Sequence, residues 1–177
     1  MEGRGDRPLA AALSPSPLAR GPQLSEAELE EVVRGGAEQL LIRLGAAFAA
    51  ETGWVNQLRA VAYGLRDFLV EDPRRARAMM IEAPHGNAET RRIREEGIEA
   101  LTALIDLGRA EMADPGSLPH PVAAITAGAI FNRIHAALQA GPKLGDEMVR
   151  ELMYTAVMPY LGVEAALAEL EAPAPGS

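Results

Sequence analysis

Cysteine is missing from all 177 residues, which excludes disulfides and thiolate metal sites and leaves no redox argument. Lysine is nearly missing too: Lys143 stands alone, and arginine supplies the rest of the 17 basic side chains. No apolar run approaches the roughly 18 residues that a membrane-spanning helix needs. Strand-like alternation and a fixed-period internal repeat are also lacking, so the reading is all-α. Acidic residues outnumber basic ones by 25 to 17, for a net charge of −8 and a pI near 5.0, which argues against a nucleic-acid-binding face. There is no glycine-rich phosphate loop, His-Glu-x-x-His pair or nucleophile elbow. Ser14, Ser16, Ser25 and Ser117 fall in tail, cap or turn positions. No catalytic machinery and no cofactor are expected.

What is present is helical punctuation. Residues 1–24 are rich in Pro, Gly, Ala and Ser without apolar period and read as a disordered tail. Arg4 and Arg7 ahead of Leu9-Ala-Ala-Ala-Leu13 imitate a secretion signal. The run is too short, is followed by Pro15 and Pro17 and carries Glu2 and Asp6, so a cytoplasmic protein is expected. One helical domain is expected over 25–170, with 171–177 a second disordered end. Ser25-Glu-Ala-Glu28 is a capping box. It opens a helix to about Ala50 with Leu29, Val33, Leu40, Leu44 and Phe48 on one face, weakened at Gly35-Gly36.

A second helix from Gly53 carries Trp54, Leu58, Val61, Leu65, Phe68 and Leu69, with Arg59, Arg66 and Asp67 opposite. Pro73 starts a third, Arg74 to Ala83. A long fourth, Ala88 to Met112, buries Ile93, Gly97, Leu101, Leu104, Ile105, Gly108 and Met112. The stretch from Leu118 to Val163 then forms an antiparallel hairpin, broken at Gly141-Pro142 and closing with Met158-Pro-Tyr-Leu-Gly162. A last turn or two spans Val163 to Leu170. The sum is a bundle of six to seven helices.

The hairpin's first helix holds Ala123, Ala124, Ala127, Gly128 and Ala129, small residues that admit another helix closely. Glycine inside a helix costs roughly 1 kcal/mol against alanine, so Gly128 points to a close contact. The expected association face comprises Ala124, Ile125, Gly128 and Asn132 with Met148, Leu152, Thr155 and Met158. Two copies would meet there as a four-helix bundle, a homodimer. The opposing reading packs this face inside one chain.

An ordered set of residues resembles a known family. Trp54-x-x-x-Leu58-Arg59, then Phe68-Leu69-x-x-x-Pro73-x-x-Ala76-x-x-Met79-x-x-Glu82-Ala83, is similar to the start of the C-terminal domain of TetR-type transcriptional repressors. Arg91-Arg92 opening the long helix, Gly128 in the next and Pro159-Tyr160-Leu161-Gly162-x-Glu164-Ala165-Ala166 continue the pattern, and Ser25-Glu-Ala-Glu-Leu29 resembles the helix that leaves the DNA-reading head.

The resemblance covers residues 25 to 170 or so. It implies a small apolar effector in a cavity among the second to fifth helices. Trp54, Leu58, Met79, Met80, Leu101, Phe131 and His135 are the expected lining, with His135, near Asn132, as the polar anchor. Helical spacing of Met and aromatic residues equally describes plain core. The three-helix head of roughly fifty residues that such regulators carry is not found in the 24 residues ahead of Ser25. A shortened chain, a misplaced start and a free-standing domain remain open, and DNA is expected only through a head that this sequence lacks. The competing function is a homodimeric helical interaction module without ligand.

Three further groups read blandly. Glu82-Ala-Pro-His85 matches a Glu-x-x-His spacing, but one copy interrupted by Pro84 is not expected to bind metal. His85 and His120 are expected to be exposed. Arg74-Arg75-x-Arg77 and Arg91-Arg92-x-Arg94, flanked by Glu71, Asp72, Glu95 and Glu96, are expected to be solvated helix surface.

Overall fold

A computed structural model describes residues 24–141 and 144–175. The expected tail, apart from Leu24, lies outside the described residues, as do Pro142, Lys143 and the last two positions. Six α-helices and no strand occur among the described residues: α1 Glu26–Ala49, α2 Trp54–Glu71, α3 Pro73–Arg77, α4 Ala88–Asp106, α5 Val122–Ala140 and α6 Asp146–Glu171. None is long and apolar enough to cross a membrane.

Local chemistry sets the boundaries. The Ser25 hydroxyl accepts from the Glu28 amide (3.3 Å) while the Glu28 carboxylate accepts from the Ser25 amide (2.8 Å), so the capping box forms. The same bonds hold the Glu28 carboxyl below the usual carboxylate range. Gly53 precedes α2 at φ +78°, a conformation other residues avoid. Asp72 caps α3, its carboxylate accepting from the Arg74 and Arg75 amides at 3.0 Å each, with Pro73 at the first helical position. Asn87 caps α4 through the Thr90 amide, 2.9 Å away.

Four expectations change. α1 runs unbroken through Gly35-Gly36, and Gly36 is buried where an added β-carbon would lie 2.5 Å from the Met79 sulfur. The single helix expected from Arg74 to Ala83 is instead α3, a π turn at Ala78–Glu82 and a 3-10 turn at Ala83–His85. Pro84 lacks an amide hydrogen for the Met80 carbonyl, so the α ladder cannot continue there. The fourth helix ends at Asp106 and tightens into a 3-10 turn, Leu107–Glu111, and Gly97 faces solvent rather than the core. Arg59 and Arg66, placed opposite the apolar stripe of α2, are largely covered. α6 lies along that side, pairing Arg66 with Asp146 (2.5 Å) and Arg59 with Glu169 (2.6 Å).

The main core joins Trp54, Leu58, Phe68 and Leu69 of α2 with Ile105 of α4, Ala127, Ile130 and Ile134 of α5, and Met153, Val157 and Tyr160 of α6. A smaller cluster of Leu29, Val33, Ala78 and Ala83 seats α1 on the π turn. Within α6, Gly162 adopts φ +83° and ψ 177°, breaking the helix three residues after Pro159.

The contrast between two α4-region glycines is testable. A β-carbon on Gly108 would sit 2.6–2.9 Å from three atoms of the rigid Trp54 ring, whereas Gly97 has open space. Gly108→Ala is expected to destabilise the fold by about 1–3 kcal/mol and Gly97→Ala to stabilise it by about 0.5–1 kcal/mol. Circular-dichroism melts separate the two; equal melting temperatures would refute the packing of Gly108 on Trp54.

Candidate functional site

The seven residues expected to line a cavity divide between an inner and an outer group. Trp54 and Leu58 are buried in the main core. The indole N–H of Trp54 donates to the Leu104 carbonyl at 3.0 Å, and its ring meets Tyr160 edge-on, centroids 5.2 Å apart. Met79, Met80 and Leu101 are half-buried against the same core. Phe131 is half-buried on α5 with the Arg94 guanidinium 5.9 Å from its ring centre.

His135 is held from both sides. Its Nδ1 lies 2.9 Å from the Met80 carbonyl and its Nε2 lies 2.8 Å from the Gln139 amide nitrogen. A carbonyl only accepts and an amide NH2 only donates, so Nδ1 donates and Nε2 accepts. The imidazole thereby satisfies the carbonyl that Pro84 leaves without its α-helical partner. Asn132, expected beside it, is exposed, and the turn-neighbour that engages the ring is Gln139 instead.

None of the seven borders either of two solvent-open hollows. One, of about 540 Å³, lies along Ala27, Glu30, Glu31, Arg34, Gly35 and Glu38 of α1. The other, of about 640 Å³, lies among Val70, Arg133, Leu144, Gly145, Glu147, Met148 and Glu151. His85 and His120 are exposed, and Glu82 pairs with Arg77 at 3.0 Å. Arg74, Arg91 and Arg92 are exposed, whereas Arg75 is half-buried with its guanidinium 3.9 Å above the Phe68 ring. Among the described residues no group of three or more His, Asp or Glu side chains is placed to hold a metal ion.

The expected association face also divides. Ala124, Ile125, Gly128 and Asn132 are exposed along one side of α5, with Ile125 69% accessible. On α6, Met158 is exposed and Thr155 half-buried, but Met148 and Leu152 lie in the core. The inward stripe of α6 runs through positions 148, 149, 152, 153, 156, 157 and 160. The outward one runs through Glu151, Thr155 and Met158. Glu151 marks that outward side by pairing across to Arg133 of α5 at 2.8 Å.

A polar relay beside Trp54 escaped the reading of the sequence. The Tyr160 hydroxyl donates to Asp106 at 3.3 Å, Asp106 pairs with Arg109 at 2.7 Å, and Arg109 donates to the carbonyls of Leu118 (2.7 Å), Pro119 (3.1 Å) and Pro115 (3.1 Å). These carbonyls lead into α5. Burial, with the Asp106 carboxylate adding to it, pushes the Tyr160 phenol up to about 12. Comparison with family models, curated proteins and solved structures finds no match to this chain.

Two measurements follow from these contacts. His135→Leu strands the Met80 carbonyl and is expected to cost about 1–3 kcal/mol, read as a lowered urea midpoint. An unchanged midpoint would exclude the bond. For Tyr160, the folded value exceeds the unfolded one of about 10. Its contribution is therefore complete below pH 10 and lost as pH rises through about 12. Tyr160→Phe should flatten that alkaline loss, followed by ultraviolet titration of tyrosinate and parallel melts.

Proposed function

We propose that the chain is the effector-sensing and dimerisation domain of a TetR-type transcriptional regulator. The observation that carries the reading is the outward side of the α5–α6 pair. Small residues of α5, Ala124, Gly128 and Ala129, flank Ile125 along that helix, and these and Met158 of α6 are all exposed to solvent. Small side chains let a facing helix approach closely, and an exposed Ile and Met beside them supply apolar area that water disfavours. The face is self-complementary in character, as a two-fold pairing requires.

Support for an effector is the composition of the outer group: Met79, Met80, Leu101 and Phe131 are apolar and half-buried, and the Met80 carbonyl takes the His135 bond. Methionine repacks readily around varied shapes. A small apolar molecule wedged there would contact α4, α5 and the π turn together. In a regulator, movement of these elements changes the separation of two DNA-reading heads and hence operator affinity. DNA contact belongs to such a head, and the acidic charge of −8 gives the present residues no basis for it.

The tests are separable. Light scattering after size exclusion is expected to give twice the 18.8 kDa chain mass, and Ile125→Arg is expected to give the single mass with an unchanged far-ultraviolet spectrum and a melting temperature that no longer depends on concentration. A wild-type monomer at every concentration would overturn the reading. Melts against lipophilic compounds should find one that stabilises by about 2.7 kcal/mol at a hundredfold excess over its Kd. The ligand-free interaction module predicts no such compound. An electrophoretic shift assay should give no specific complex.

A further inference from the structure

We infer that residues 163–171 form a strap, hinged at Gly162 and latched by the Glu169–Arg59 pair, which opens as a unit and uncovers Tyr63 while the rest of the chain stays folded. The contacts involved lie within one chain, so the inference stands apart from any pairing of copies.

The two halves of α6 are held very differently. Before the hinge, Met148, Val149, Leu152, Met153, Val157 and Tyr160 are buried. After it only Ala166 and Glu169 are buried, and six of the nine residues, Val163 and Leu167 among them, are exposed. A segment that buries one methyl group has little of the apolar stabilisation that protects a core helix, so its opening costs far less than unfolding of the chain. The fastening it does have is polar: the Glu169 carboxylate accepts from Nε and Nη2 of Arg59 at 2.9 and 2.6 Å. Gly162, at φ +83° and ψ 177°, interrupts the helix between the halves and supplies the joint.

The pairings also fix the path of the strap. With Asp146 on Arg66 and Tyr160 on Trp54, the first half of α6 runs antiparallel to α2. Glu169 then meets Arg59, which lies beyond Trp54 in the direction of Arg66, so the strap doubles back along α2. Arg59, Tyr63 and Arg66 stand at i, i+4 and i+7, a single stripe of that helix. Tyr63 therefore sits between the two arginines that α6 engages, and the Arg66 guanidinium is 5.1 Å from its ring centre. The tyrosine is only 5% exposed yet belongs to neither hydrophobic cluster, and its hydroxyl is buried with no hydrogen-bond partner among the described residues. Keeping such a hydroxyl covered is costly. Opening the strap returns it to water, which offsets part of the loss of the ion pair.

Native-state hydrogen exchange at low urea, read by mass spectrometry on the full chain, tests this. Amides of 167–171 are expected to exchange through an opening that depends little on urea, about tenfold or more faster than those of 149–157. Glu169→Gln is expected to speed the strap amides by about a further tenfold. The 149–157 amides should keep their rate, which distinguishes a released strap from a variant that folds poorly. Nitration with tetranitromethane reads the cover: Tyr63 is expected to react faster in Glu169→Gln than in the wild type, and Tyr160 equally slowly in both. If strap and 149–157 exchange at one rate with one urea dependence, there is no separate opening and the inference fails. An unchanged strap rate in Glu169→Gln overturns the latch, and faster strap exchange without faster nitration of Tyr63 overturns the cover.

Discussion

Trp54 sits where α2, α4 and α6 meet. Its N–H satisfies Leu104 at the end of α4, its face lies on Gly108 one turn later, and its edge meets Tyr160 of α6. Burying an indole of about 200 Å² at about 25 cal/mol per Å² contributes roughly 5 kcal/mol, comparable to the net stability of a small domain. Tyr160 then passes the contact through Asp106 and Arg109 to the loop that launches α5. One ring thus fixes the relative placement of three helices and, through a polar chain, the start of the helix that carries the outward small-residue face.

The second constraint is electrostatic. Arg59 and Glu169 meet with little solvent around them, and the pairing raises the Arg59 guanidinium above its usual range against the desolvation that opposes it. Such a pair adds little against a well-packed apolar alternative, but removing one partner leaves a covered charge. It therefore specifies where the end of the chain goes more than it strengthens the fold. Without it the segment past Gly162, which buries chiefly Ala166, has little else to determine its position.

The features legible in the sequence are those decided within one turn. The capping box at Ser25, Pro73 at the start of α3, the start of α2 after Gly53 and the break at Gly162 all depend on neighbours within about four residues. Features that depend on distant partners were not legible. Arg59 and Arg66 look like a solvated face until α6 arrives, 80 to 110 positions away, with carboxylates. Met148 and Leu152 differ from Thr155 and Met158 only by a shift of stripe on one helix, which periodicity in a helix apolar on several sides does not resolve. The donor that meets the Met80 carbonyl comes from α5, 55 positions away, and only Pro84 is visible locally.

That donor has a consequence for what the imidazole can take as a neighbour. Because a proline 51 positions earlier frees a backbone oxygen, the His135 ring is locked in a single tautomer, with its remaining lone pair turned toward Gln139. A visitor that displaces the glutamine must therefore offer a hydrogen: an alcohol, an amide or an amine fits. A ketone or an ether would meet an electron pair with an electron pair.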